Sequence, residues 1–130
     1  MSFKSADGYR RFFQDASTDA TLTASSGDTT LITARSTSHT IWVQRIIAYI
    51  TTDAAQSWAF EDSTTGKKIA EVTSSPGDET RWDFDFGDEG IDLTIGENLV
   101  LNASAAGLAG HVKVYAYQKL SAAMAAGTTN

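Results

Sequence analysis

The feature that most restricts the fold is a two-residue rhythm of apolar side chains, interrupted every few residues by turn formers. In TRWDFDF, residues 80–86, Trp82, Phe84 and Phe86 share one side while Arg81, Asp83 and Asp85 share the other. Successive side chains of a strand point to opposite faces, so this spacing describes a half-buried strand with its aromatic face inward. The same reading places strands near 19–25, 29–35, 39–52, 56–61, 67–73, 80–86, 91–95, 98–103 and 110–119. The turn formers SSGD at 25, STTG at 63, SSPGD at 74, FGDEG at 86, IGEN at 95 and AAGLAG at 105 separate them. No interval holds the helix that a parallel crossover needs, so the expected fold is an all-β antiparallel β-sandwich of eight or nine strands. Its expected core includes Ile41, Val43, Ile47, Trp82, Phe84, Phe86, Leu93, Leu99, Leu101, Val112 and Val114.

Three segments carry finer expectations. In HTIWVQRIIAYITT, Ile41, Val43, Ile47 and Tyr49 alternate with Trp42, Ile46, Ala48 and Ile50, so both sides are apolar. That pattern describes a central strand covered on both faces, either by the opposite sheet and an arm or by a neighbouring subunit. In IDLTIGENLVLNA, apolar alternation stops at IGEN and resumes at Leu99, which reads as a hairpin. In GHVKVYAYQK, Val112, Val114 and Ala116 oppose His111, Lys113, Tyr115, Tyr117 and Lys119, and the second set reads as an exposed aromatic strip.

The length of 130 residues suits one core, and 42% hydrophobic with 20% charged residues is the composition of a globular chain. The sandwich domain is expected over 19–120. Residues 1–18 form an N-terminal arm without stable alternation, and 121–130 a loose, small-residue tail. There is no Cys, so stability is expected from packing and ladder hydrogen bonds, and the composition suits a reducing compartment. No apolar run follows the basic N-terminal positions and none reaches membrane-spanning length, so synthesis in the cytoplasm and no membrane partner are expected. A net charge of −6 argues against nucleic acid as the partner, because phosphate binding needs clustered Lys and Arg in excess.

The sequence offers little for catalysis. His39 and His111 are the only histidines, and neither sits in a nucleophile or metal motif. No enzymatic activity and no cofactor are expected. Asp83, Asp85, Asp88, Glu89 and Asp92 fall within ten residues and raise the question of calcium, yet the EF-hand spacing is not met and Asp83 and Asp85 are the outward positions of a strand. A solvated acidic face is the plainer reading. Of the three tryptophans, Trp42 and Trp82 read as buried, and only Trp58, among the polar residues of QSWAFEDS, reads as a ring exposed for stacking on a sugar.

The stretch from TIWVQRIIAYITTDAAQSWAFEDSTTGKKIAEV through NLVLNASAAGLAGHVKVYAYQKL resembles the small jelly-roll decoration, or cement, proteins of tailed-phage capsids. The likeness lies in a long strand ending in a small-residue loop, a hairpin turned by STTGKK, a late ENLVLNAS strand and a closing V-x-V-x-A-Y strand, over residues 39–120. It implies a jelly-roll sandwich on the outside of a virion, bound to the major capsid protein and assembled as a homotrimer. The same pattern occurs in tail and fibre modules and in carbohydrate-binding domains. In this setting Phe3, Tyr9, Arg10, Arg11, Phe12 and Phe13 of the arm are candidate partner-binding residues, because aromatic and Arg side chains anchor interfaces. Trp42, Ile46, Tyr115 and Tyr117 are candidates for the oligomer interface.

Overall fold

The computed structural model describes residues 18–22, 26–78 and 80–120, with side chains from Ser26 onward. Nine strands follow in chain order: β1 Thr18–Leu22, β2 Gly27–Ile32, β3 His39–Thr52, β4 Gln56–Asp62, β5 Lys68–Ser74, β6 Arg81–Asp85, β7 Ile91–Asp92, β8 Leu99–Ala103 and β9 Leu108–Leu120. All pairings are antiparallel and fall in two sheets. The first has the order β1-β9-β3-β6, with β7 also on β3, and the second the order β2-β8-β4-β5. The fold is thus the all-β antiparallel sandwich that the alternation predicts. Among the described residues no helix is long and apolar enough to cross a membrane.

The pairings nest about the β4–β5 hairpin. β4 pairs with β5, β3 with β6 and β7, β2 with β8, and β1 with β9. The chain is a long ribbon doubled back on itself, and wrapping it lays β9 against β3 and β8 against β4. Strands β6 and β7 are two pieces of one edge, since β6 lies along Arg45–Tyr49 of β3 and β7 along Trp42–Val43.

The core lies between the sheets. Trp58 and Phe60 of the second sheet meet Trp82 and Phe84 of the first: Trp58 stands edge-on to Trp82 at 5.1 Å and to Phe60 at 5.8 Å, and Phe60 meets Phe84 at 6.0 Å. Such pairs contribute about 0.5–1.5 kcal/mol each beyond their area. Ile41, Val43, Ile46, Leu93, Leu99, Leu101, Val112 and Val114 complete the packing.

Four sequence expectations change here. Trp58 is 1% exposed rather than a surface ring. Its indole N–H donates to Ser74 Oγ of β5 at 3.2 Å, so a residue distant in sequence satisfies the ring's polar atom inside the core. Second, the apolar residues of β3 do not divide between its two faces as the simple alternation has them. Its register against β9 slips between Val43 and Arg45, a β-bulge at Gln44 that puts Ile41 and Val43, then Ile46, Ala48 and Ile50, all toward the core. Ile46 is therefore 0% exposed in the core and not at an oligomer interface, while Ile47 moves to the outer face. Third, Trp42 lies on that outer face and is half-buried. Fourth, residues 91–95 and 99–101 form no hairpin, because β7 belongs to the first sheet and β8 to the second. The IGEN turn exists, closed by Glu97 N donating to Thr94 O, but it carries the chain between layers. Gly96 has φ +79°, and a Cβ there would stand 2.9 Å from Thr37 O, so the crossing requires glycine.

A buried carboxylate fastens this crossing. Asp62, 0% exposed at the end of β4, accepts from Lys67 N at 3.0 Å, Thr94 N at 3.2 Å and the Thr65 hydroxyl, tying the β4–β5 turn to the β7–β8 connection. Burial would raise its pKa, but the hydrogen bonds from Thr65, Thr94 and Lys67 outweigh that and hold it below the usual aspartate value.

Candidate binding surface

β3 and β9 are the longest strands, 14 and 13 residues, and pair along the whole of β9. Their outward side chains form the outer face of the first sheet. Because Gln44 absorbs one residue, Trp42 stands opposite Tyr117, Arg45 opposite Tyr115, Ile47 opposite Lys113 and Tyr49 opposite His111. β6 adds Asp85 beside Arg45, Asp83 beside Ile47 and Arg81 beside Tyr49. Every tyrosine among the described residues lies on this face, whereas the phenylalanines face the core.

Each outer aromatic ring is held by a cation or a hydrogen bond. Trp42 and Tyr117 lie within 9° of parallel with centroids 6.2 Å apart, and Lys119 Nζ sits 4.6 Å from the Trp42 centroid and 5.6 Å from that of Tyr117. Lys113 Nζ lies 5.6 Å from the Tyr115 ring. Arg81 Nε donates to the Tyr49 hydroxyl at 3.2 Å, with its guanidinium 5.7 Å from the ring centroid. Arg45 grips Asp83 with both prongs, Nε to Oδ1 at 2.9 Å and Nη2 to Oδ2 at 2.5 Å. The Arg45 hydrogen bond comes first among the causes that hold the Asp83 carboxyl below its usual value. Rings and cations fixed in this way lose little rotamer freedom when a partner arrives.

The loop joining β6 to β7 folds over one end of the face. Phe86 N donates to Gln44 O at 2.8 Å, Gln44 Nε2 to Asp88 O at 2.6 Å and the Tyr117 hydroxyl to Glu89 O at 2.6 Å. Gly90 has φ +85°, and a Cβ would meet Val43 O at 2.6 Å, so only glycine lets the loop lie this close to the bulge. Trp42 Nε1 and Gln44 Oε1 are buried beside it without a hydrogen-bond partner among the described residues. Such orphans cost about 1–3 kcal/mol each and are few in native structures.

The acidic run dissolves into separate structural contacts. Asp83 holds Arg45, Asp85 accepts from Gly87 N at 2.9 Å, and Asp92 lies 3.8 Å from Lys67 Nζ. Among the described residues no three His, Asp or Glu side chains converge as metal ligands. His39 Nδ1 lies 2.7 Å from Ser36 Oγ, but that hydroxyl also accepts from Ser38 N, and the contact closes the 36–39 turn.

Of the residues singled out from sequence, Trp42, Tyr115 and Tyr117 come together on the outer face and Ile46 does not. Phe3, Tyr9, Arg10, Arg11, Phe12 and Phe13 lie outside the described residues. Sequence reasoning missed Arg45, Tyr49 and Arg81. The register that makes Arg45 and Asp83 partners leaves no local signal, since 38 positions separate them. No protein-family model matches this sequence, and a search of curated proteins returns no match.

Proposed function

We propose that this chain is a non-enzymatic structural protein of a virus particle, a capsid decoration or cement protein that binds the major capsid protein through the outer face of its first sheet. The observation that carries the reading is the set of rigid Trp42, Tyr117, Tyr115 and Tyr49 rings interleaved with Lys119, Lys113, Arg45 and Arg81. Trp, Tyr and Arg dominate the energetic centres of protein interfaces, and the first sheet gathers them on one face across β9, β3 and β6. The nested ribbon is in keeping with a jelly roll, the fold that the resemblance implies. Location on the capsid surface and homotrimeric assembly follow from that resemblance alone.

The test is attachment to capsids lacking this protein. Wild type should saturate them, and Trp42→Ala combined with Tyr117→Ala should weaken attachment by roughly 30-fold or more, the effect of losing about 2 kcal/mol at a hot spot. Unchanged attachment would remove the outer face from the mechanism. Light scattering at micromolar concentration should report a trimer, and a monomer would end that part of the proposal.

A second reading rests on the near-parallel Trp42 and Tyr117 rings, an arrangement suited to stacking on a pyranose. It makes the chain a glycan-binding module, which would be retained as a monomer on an immobilised polysaccharide.

A further inference from the structure

The edge strands of the two sheets are not equally guarded. β2 loses register against β8 between Thr30 and Ile32, and β5 carries an extra residue, Ile69, where Phe60 pairs with Ala70 and Glu61 with Lys68. Bulges of this kind make an edge a poor template for a further strand. β6 has none. It pairs residue for residue with β3, contains neither Pro nor Lys, and among the described residues no strand lies on its other edge. Thr80 O accepts from Ile50 N and Phe86 N donates to Gln44 O, so the even-numbered residues turn their backbone groups to β3 and Arg81, Asp83 and Asp85 turn theirs away. Trp82 and Phe84 pack on the core from this edge and are only partly buried.

We propose that β6 pairs antiparallel with β6 of a second copy about a two-fold axis at Asp83, joining the two first sheets into one. The segment RWDFD is complementary to itself in this register: Arg81 falls opposite Asp85 of the second copy, Trp82 opposite its Phe84 and Asp83 opposite its Asp83. An axis normal to the sheet keeps outward residues outward, so each Arg meets an Asp on the outer face and each indole meets a phenyl ring on the inner one. The backbone groups directed away from β3 fall in hydrogen-bonded pairs, and Trp82 and Phe84 take the positions between them, where side chains stand closest. Other registers lose this match. Centring on Phe84 sets Asp83 against Asp85, and centring on Trp82 leaves only residues 81–83 of the strand paired.

The charges around the axis permit the approach. Each Asp83 is held by both prongs of Arg45 and lies 3.6 Å from Arg81 Nη2, which neutralises the one pair of like charges. Asp85 accepts from Gly87 N and lies beside Arg45, and a carboxylate offers about four lone-pair sites, so an incoming Arg81 adds to those contacts. The Arg81 side chain is 51% exposed and gives Nε to Tyr49, which leaves further N–H groups for the second copy. An edge of five residues offers less than the roughly 1,200 Å² that stable interfaces bury, so the pairing has a Kd on the order of 1 mM and leaves the species present at micromolar concentration unchanged. It acts where copies are crowded, and it does not depend on the capsid reading.

Purified protein without capsids tests it. Because the chain has no Cys, one introduced thiol reports the register. D83C sits at the axis with Cα atoms about 5.5 Å apart, within disulfide range, whereas D85C, outward on the same strand, is offset by four residues, about 13 Å. At about 1 mM under mild oxidation, D83C should cross-link chains roughly tenfold faster than D85C on a non-reducing gel, and equal rates overturn the register. Adding R81E to D83C sets two acidic groups against each other and should remove the fast cross-linking; adding D85R as well restores opposite charges and should recover it. A swap that fails to recover it overturns the pairing. The unmodified chain gives a check free of folding effects: the amides of Arg81 and Asp83 should exchange about twofold more slowly at about 1 mM than at about 10 µM, since half the edges are then paired. Exchange that does not change with concentration also overturns it.

Discussion

The outer faces of the two sheets differ in kind. That of the first carries Trp42, Tyr49, Tyr115 and Tyr117 among Arg45, Arg81, Lys113 and Lys119. That of the second is built on the rungs Thr30, Val100, Glu61, Lys68 and Asp28, Asn102, Ala59, Glu71, with no aromatic ring in them. Its polar contacts are short-range and self-contained, as in Asn102 Nδ2 donating to Asp28 Oδ1 at 2.6 Å, Ser57 Oγ 3.1 Å from Thr73 Oγ1, and the Lys68–Glu71 pair at 3.1 Å. Both sheets bury their inner faces in one core, so packing does not require this asymmetry. Rings outside a finished core add little to folding, and their concentration on one face is what the proposed docking role rests on.

Predictions that break or sharpen this contrast run from the core outward. Trp58→Ala removes the ring that joins the two layers and should cost about 3–5 kcal/mol on denaturant melting. Trp42→Ala, an equal change in chemistry on the outer face, should cost only about 1 kcal/mol while weakening capsid attachment. If the two melt alike, the division into core ring and docking ring is wrong.

Asp62→Ala should cost about 2–4 kcal/mol, because Lys67 N, Thr94 N and the Thr65 hydroxyl lose their buried acceptor. The same carboxyl gives stability a pH dependence. Held below the usual value in the folded state, Asp62 and Asp83 contribute stability that is fully present above the unfolded aspartate pKa of about 4 and is lost as pH falls through their depressed values. Glu61, 9% exposed on the outer face of the second sheet, has the opposite sign: burial, then the nearby Asp28, raises its pKa, so protonation favours the folded state. Glu61→Gln should therefore stabilise the protein at neutral pH, and that gain should shrink as pH falls through the raised value. A gain that grew with acid would reverse the assignment.

Smaller effects follow on the surfaces. A double-mutant cycle on Arg45 and Asp83 should give a coupling of at most about 1 kcal/mol, since both side chains remain partly in water. Glu71→Ala, on the second outer face, should change stability by no more than about 0.5 kcal/mol and leave attachment untouched. Loss of attachment there would move the docking surface to the other sheet.

The sequence by itself determined the strands. A period of two is a local property, since adjacent side chains must alternate, and turn formers mark where extended backbone ends. Each of the nine segments read from TRWDFDF and its counterparts contains a strand, although 91–95 is a strand only at Ile91–Asp92, and β3 is bounded at His39 and Thr52 in both readings. The face of β9 that carries Tyr115, Tyr117 and Lys119 was legible for the same reason. Tertiary structure alone decided which residues meet. The bulge at Gln44 inserts one residue against β9, and that shift exchanges the faces of Ile46 and Ile47 without any mark in the pattern HTIWVQRIIAYITT. The move of residues 91–101 from hairpin to layer crossing depends on Asp62, some thirty positions earlier, accepting from Thr94 N. Trp58 reads as exposed from its neighbours in sequence, yet it packs edge-on against Trp82 of the other sheet and gives its N–H to Ser74, 16 residues away. Alternation fixes the two sides of a strand, but which side is inside depends on partners that only the folded chain brings within a few ångströms.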